Sequence, residues 1–238
     1  MKSIKLLSIS NSFGVNLQTY AYQIAEANGL DLDMYVLYIG GCSLEQHCRN
    51  IKTNAKAYEL FHNGESTHTF VSVLDGLKLQ EKWNIILTQQ VSGLSGKIDS
   101  YFPYLDDLFN YVKQNSKFDL FGLQKTWEYG PKFPYGGFEA YNKDSDQMYK
   151  EICETYTRLP ERFKFDLIIN SGDIIHFAKQ EFTENVYDEF DFHMSSFGCY
   201  LIGANLVKIV FNTKLDKIYV PNNENEELYK KAIKFVNQ

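Results

Sequence analysis

Cysteine is scarce and unpatterned. Cys42, Cys48, Cys153 and Cys199 are scattered and form no C-x-x-C pair. So few thiols at such spacings exclude a disulfide-stapled scaffold. Basic clusters are also missing: no run of five or more Lys/Arg occurs, and the net charge is −6. A nucleic-acid partner needs a concentrated cationic face, so that class is set aside. Long apolar runs are absent too. The opening MKSIKLLSIS has a basic start, but its apolar stretch is short and stops at Asn11, below the length of a secretory h-region or a membrane span. A cytoplasmic protein with no membrane partner is the expectation. No repeat, low-complexity tract or linker divides the chain, so one domain is expected over residues 1–238.

What is present is a foldable, ring-rich composition. Of 238 residues, 44% are hydrophobic and 23% charged. A chain of this length buries roughly 70% of its unfolded surface or more, enough for a core without staples. The 18 Phe, 17 Tyr and 2 Trp exceed what such a core usually takes, which places some rings at the surface or in a pocket wall.

Short strand-like runs alternate with longer helical patterns, the mark of a parallel sheet covered on both faces. Strands are read at residues 4–9 (IKLLSI), 33–39 (DMYVLYI), 84–88 (NIILT), more weakly 120–123, and 165–170 (FDLIIN). Helices are read at 17–28, 44–61, 73–82, 101–114, 145–158, 196–211 and 226–236 by their apolar stripes. Residues 128–142, EYGPKFPYGGFEAYN, form an irregular stretch rich in Gly, Pro and rings. The architecture expected is a three-layer α/β/α sandwich around a parallel sheet of about five strands.

In such sheets ligands bind beyond the carboxyl ends of the strands. Ser10-Asn11-Ser12-Phe13-Gly14 follows the first strand and Gly40-Gly41-Cys42-Ser43-Leu44-Glu45-Gln46-His47 the second. Gln89-Gln90-Val91-Ser92-Gly93 follows the third, Gln124-Lys125-Thr126-Trp127 the fourth, and Asp191-Phe192-His193-Met194-Ser195 comes late in the chain. Small and amide-bearing residues recur where donors would converge on a developing oxyanion.

This ordered set resembles the SGNH (GDSL-like) hydrolases, and within them an uncharacterised branch with the pattern GNSF, GGCSLE-x-H, LQQ-x-S, TW-x-Y and D-x-x-H-x-S. The match runs from Ile4 to about Phe211. The resemblance implies a flavodoxin-like fold and an acyl-serine esterase acting on a small or carbohydrate-borne ester such as an O-acetyl group, with no metal or cofactor. It makes Ser12 the nucleophile, His193 the base, and Gly41 one oxyanion donor. The third donor, an Asn in the family, is here a glutamine: Gln90, with Gln89 as fallback. The family acid lies three residues before the histidine, but that position is Phe190. Asp191, two before, is the expected acid; Asp188, five before, and a bare Ser-His dyad are the alternatives. Asn11, Gln89, Trp127 and Tyr129 are candidate substrate contacts.

Plainer roles stand beside each of these. Ser10, Asn11 or Ser12 would serve equally as a helix N-cap. Gly41 would suit any turn of positive φ, and the glutamines would suit a structural amide role. Cys42, His47 and Cys48 lack the spacing and the fourth ligand of a zinc site. The rings Trp127, Tyr129, Phe133, Tyr135, Phe138 and Tyr141 fit a packed flap or a stacking platform. A saccharide- or acyl-binding protein of the same fold is the rival function, and an interaction module with an exposed aromatic patch is a third.

Overall fold

A computed structural model of the chain describes residues 3–134, 136–221 and 224–238. Its centre is β1 (Ser3–Ser10), buried from Leu6 onward because both faces are covered. Ile4 and Leu6 enter one core while Leu7 and Ile9 enter the other, the period of two that a strand imposes. β1 lies between β2 (Asp31–Tyr38) and β5 (Trp83–Thr88), followed outward by β6 (Phe118–Gln124) and β7 (Leu167–Ile169), all parallel. Two further strands, β3 (Tyr58–His62) and β4 (Glu65–Val71), continue antiparallel beyond β2. The sheet therefore has seven strands in the order β4-β3-β2-β1-β5-β6-β7.

α1 (Ser12–Gln18), α2 (Ala21–Ala27), α7 (Ser171–Glu181), α8 (Ser196–Phe211) and α9 (Glu226–Val236) cover one face. α3 (Leu44–Thr53), α4 (Val73–Leu77), α5 (Tyr104–Asn115) and α6 (Ser145–Arg162) cover the other. The result is the three-layer α/β/α arrangement. α8 is buried around nearly its whole circumference, because α1, α2, α7 and α9 enclose it. Among the described residues, no helix is long and apolar enough to cross a membrane.

Four differences from the sequence reading stand out. The helix expected over 44–61 ends at Thr53, where Asn54 turns left-handed at φ 48°, and the remaining residues become β3. Asn63 and Gly64, both at positive φ, join β3 to β4, as a type I′ hairpin turn requires. The helix expected over 17–28 is two helices, with Ser12 already helical. α7 was not anticipated.

The start of α7 packs on the segment that follows β6. A Cβ added at Gly172 would lie 2.1 Å from the Thr126 carbonyl oxygen, a backbone atom with no room to yield. Gly172→Ala is expected to lower stability by about 1–3 kcal/mol, the usual range for forced overpacking, seen as a lower urea midpoint at unchanged slope.

Candidate active site

The carboxyl ends of β1, β2 and β5 gather the candidate residues. Asn11 caps α1: its Oδ1 accepts from the Phe13 N–H at 3.1 Å. Its Nδ2 donates to the Cys42 carbonyl at 2.9 Å, so one side chain ties the β1–α1 turn to the β2–α3 turn. Ser12 is the first residue of α1 and half-buried. Among the described residues its hydroxyl has no hydrogen-bond partner, and neither does its N–H, one of the orphan donors every helix start leaves. Ser10 is fully buried, donates to the Asn11 carbonyl and receives a short contact from Gln89 Nε2. Of the two serines, Ser12 is the one that faces outward.

Gly41 occupies an exposed turn at φ +63° with open space around its Cα. Ile39 N–H donating to the Ser10 carbonyl, at 3.3 Å, and the Asn11–Cys42 bond hold this turn against α1. The Gly41 N–H likewise has no partner among the described residues. The glutamines are placed differently from expectation. Gln90 donates both amide hydrogens to Ser100, at 2.9 and 3.1 Å, and accepts from the Leu44 and Val91 N–H groups. Gln89 donates to Ser10 and to Asn11 Oδ1, the latter at 3.1 Å. Both amides are spent on structure, so neither Gln90 nor Gln89 offers a donor hydrogen to an oxyanion; the backbone N–H groups of Ser12 and Gly41 remain.

His193 sits on a tight loop closed by an antiparallel bridge between Tyr187 and Met194 and by the Asp188 N–H donating to the His193 carbonyl at 2.9 Å. That closure sets Asp188 Oδ2 at 3.7 Å from His193 Nδ1. Asp188 Oδ1 accepts from the Phe190 and Phe192 N–H groups, both at 3.1 Å, which fixes the carboxylate. Asp191 does not fill the acid role. Its left-handed φ of 56° turns it away, its Oδ2 accepts from the Lys132 N–H at 3.0 Å, and its carbonyl accepts from the Gly130 N–H at 2.8 Å. It clasps the neighbouring segment, and Asp188 stands behind the histidine instead.

Burial pulls the His193 pKa below the ordinary histidine value, and the Asp188 charge lifts it part of the way back. The ring is therefore neutral at pH 7, as a base must be. With Nδ1 toward Asp188, Nε2 is left for a proton, and it is buried without a partner among the described residues. The loop leans on α1 through the Met194 N–H, which donates to Asn16 Oδ1 at 3.3 Å, one turn beyond Ser12. Ser12 and His193 share no hydrogen bond; catalytic contacts commonly close only on the bound substrate.

The aromatic stretch is a packed flap. Tyr129 is buried, stacks on Phe133 at 3.8 Å, meets Phe138 and Phe192 edge-on, and shares a 2.7 Å hydrogen bond with Ser92. Trp127 is fully buried, its ring 4.3 Å from Phe13. Neither presents a face to a ligand, and Asn11 and Gln89 are equally enclosed, so the four candidate substrate contacts act as supports. Tyr135 lies outside the described residues.

His47 is fully buried, with Nδ1 on the Tyr58 hydroxyl at 2.9 Å and near Cys42 Sγ at 3.4 Å. Burial pushes its pKa down to about 3, so it stays neutral and packs against Tyr58 and Cys42. Sequence reasoning passed over Asn16 and the buried Glu128. The Glu128 carboxylate is held by Lys179 and by His176 at 3.0 Å. Its signal was faint: a single acidic residue between two aromatic ones. Clefts open elsewhere as well. One of about 470 Å³ between α7 and α9 is lined by Glu181, Phe182, Thr183, Lys231 and Phe235.

The fold is that of the SGNH hydrolases. A candidate SGNH hydrolase from Slackia heliotrinireducens superposes with a TM-score of 0.58 at 15% identity, over 88% of this chain and 100% of that one. A family 3 carbohydrate esterase from Clostridium thermocellum gives 0.51 at 14% identity, over 89% and 96%. At these identities the likeness establishes the fold alone. Within that class the chain belongs to the family described as Domain of unknown function (DUF4886), whose profile matches residues 5–232. A crystal structure of a DUF4886 family protein from Bacteroides uniformis is similar over 99% of this chain and 94% of that one, with a TM-score of 0.92 at 28% identity. No curated protein matches the chain.

Proposed function

We propose that the protein is a serine esterase that hydrolyses a small or carbohydrate-borne acyl ester through an acyl-Ser12 intermediate. The observation that carries this reading is an outward, unpartnered Ser12 hydroxyl at the carboxyl edge of the sheet, with a neutral, Asp188-backed His193 on the loop leaning against the same helix. In the first step Ser12 Oγ attacks the ester carbonyl as His193 Nε2 takes its proton, and the Ser12 and Gly41 N–H groups receive the oxyanion. The tetrahedral adduct expels the alcohol, which takes the proton from His193. Water, activated by the same nitrogen, then releases the acid and restores Ser12. The carbohydrate esterase among the structural relatives supports a sugar-borne ester, and the enclosed Trp127 and Tyr129 argue that the acyl group, not a stacked sugar ring, is what the edge grips.

A ligand-binding protein of the same fold is the second reading, favoured by the spent amides of Gln89 and Gln90. Treatment with a fluorophosphonate and peptide mapping separates the two. The esterase reading expects an adduct on Ser12, none on buried Ser10, and none on a His193→Ala protein. A folded wild-type protein that takes up no reagent overturns it.

A further inference from the structure

Trp127 touches both halves of the proposed machinery without reaching substrate. It follows β6 and is fully buried. Its ring meets Phe13 edge-on at 4.3 Å, and Phe13 is the residue after Ser12. Its indole Nε1–H donates to the Phe192 carbonyl at 2.9 Å, and Phe192 is the residue before His193. The Phe13 and Phe192 rings also meet each other at 6.3 Å. The Asn16 Oδ1 that accepts from the Met194 N–H at 3.3 Å is a second tie between the same helix and loop.

The base of this bracket is itself fixed. Thr126 donates to Ser95 at 2.7 Å, and its carbonyl abuts Gly172 at the head of α7. On the other side the Glu128 carboxylate is anchored to α7 by Lys179 and His176, while its carbonyl accepts from the Tyr187 hydroxyl at 2.9 Å. Tyr187 precedes Asp188 in the chain.

We infer that Trp127 is a positioning residue that sets the separation of Ser12 and His193, holding the nucleophile's helix with its ring and the base's loop with its indole N–H. The inference rests on the esterase reading. Misplacing a catalytic group by an ångström typically costs about a hundredfold in rate, so losing the N–H arm alone should be visible.

The test replaces the Trp127 indole by its benzothiophene isostere, which keeps ring size and removes only the N–H; Trp127→Phe is the second variant. On a short-chain nitrophenyl ester, kcat is expected to fall roughly ten- to a hundredfold with KM within about twofold of wild type. The imidazole titration of His193, followed by NMR, is expected to move up toward the ordinary histidine value as the loosened loop regains water. A folded isostere variant whose kcat stays within about twofold of wild type overturns the inference, because packing alone does not need the N–H. Ser12→Ala serves as the control for the reading beneath it. If wild type shows no turnover above Ser12→Ala, the esterase reading has failed. The His193 midpoint then decides the positioning role by itself, and an unshifted midpoint overturns it.

Discussion

Ser12→Ala is expected to lower kcat/KM for short-chain nitrophenyl esters by roughly 10⁴- to 10⁶-fold, and His193→Ala by a similar factor. The two groups work as one unit, so the double variant should lose little more than either single one. Non-additivity is the sharper part of the expectation. A contaminating hydrolase would be indifferent to both substitutions, and two independent supports of the fold would show multiplied losses. Ser10→Ala is the internal comparison: Ser10 is buried and bonded to Gln89, so its loss should act through stability. Retained turnover in Ser12→Ala would remove the acyl-serine mechanism.

The second large effect distinguishes two acidic residues three apart. Asp188→Asn is expected to lower kcat by about 10²–10⁴-fold, since the amide no longer stabilises the imidazolium formed during attack. Asp191→Ala should leave kcat within about tenfold while costing about 1–2 kcal/mol of stability, because it removes the acceptor for the Lys132 N–H. The pH profile gives an independent reading. His193 acts as a base only when neutral, so activity rises as pH climbs through its pKa. Burial sets that value below the ordinary histidine value, and the Asp188 charge raises it. Taking the charge away removes the lift, so the acid limb of the Asp188→Asn profile should move to lower pH. A limb that moves for Asp191→Ala instead, with Asp188→Asn unaffected, would reverse the assignment.

How much of this was legible in the sequence differs from element to element. β1 and β5 are buried on both faces and announce themselves as apolar runs, α8 reads as an almost wholly apolar helix, and α9 keeps its stripe from end to end. The β3–β4 hairpin was hidden because β4 is exposed along almost its whole length, which leaves no alternation to read. Its one clear signal was the Asn63-Gly64 dipeptide, the usual occupant of a two-residue hairpin turn. α7 starts at Ser171 behind an N-cap, Asn170, that makes no side-chain cap bond. The proposed nucleophile and base stood out through their surroundings, but the proposed acid did not. Counting back from His193 assumes an extended or helical path. The left-handed Asp191 and the Tyr187–Met194 bridge fold the loop on itself and bring a residue five positions back beside the ring. Burial decided the rest: nothing in the order of Trp127 and Tyr129 tells a wall from a support.

Position 11 has, in effect, an alphabet of one letter. Several residues cap helices well, but this cap must also give a hydrogen to the Cys42 carbonyl while taking one from the Phe13 N–H. Aspartate has the reach and the acceptor but no hydrogen to give, and it would set a negative charge against a carbonyl. A serine hydroxyl gives and takes but is too short to span two loops. Only a carboxamide on a single methylene carries opposite polarities at the two ends of the right length, and so the side-chain tie between the β1–α1 turn and the β2–α3 turn rests on one residue.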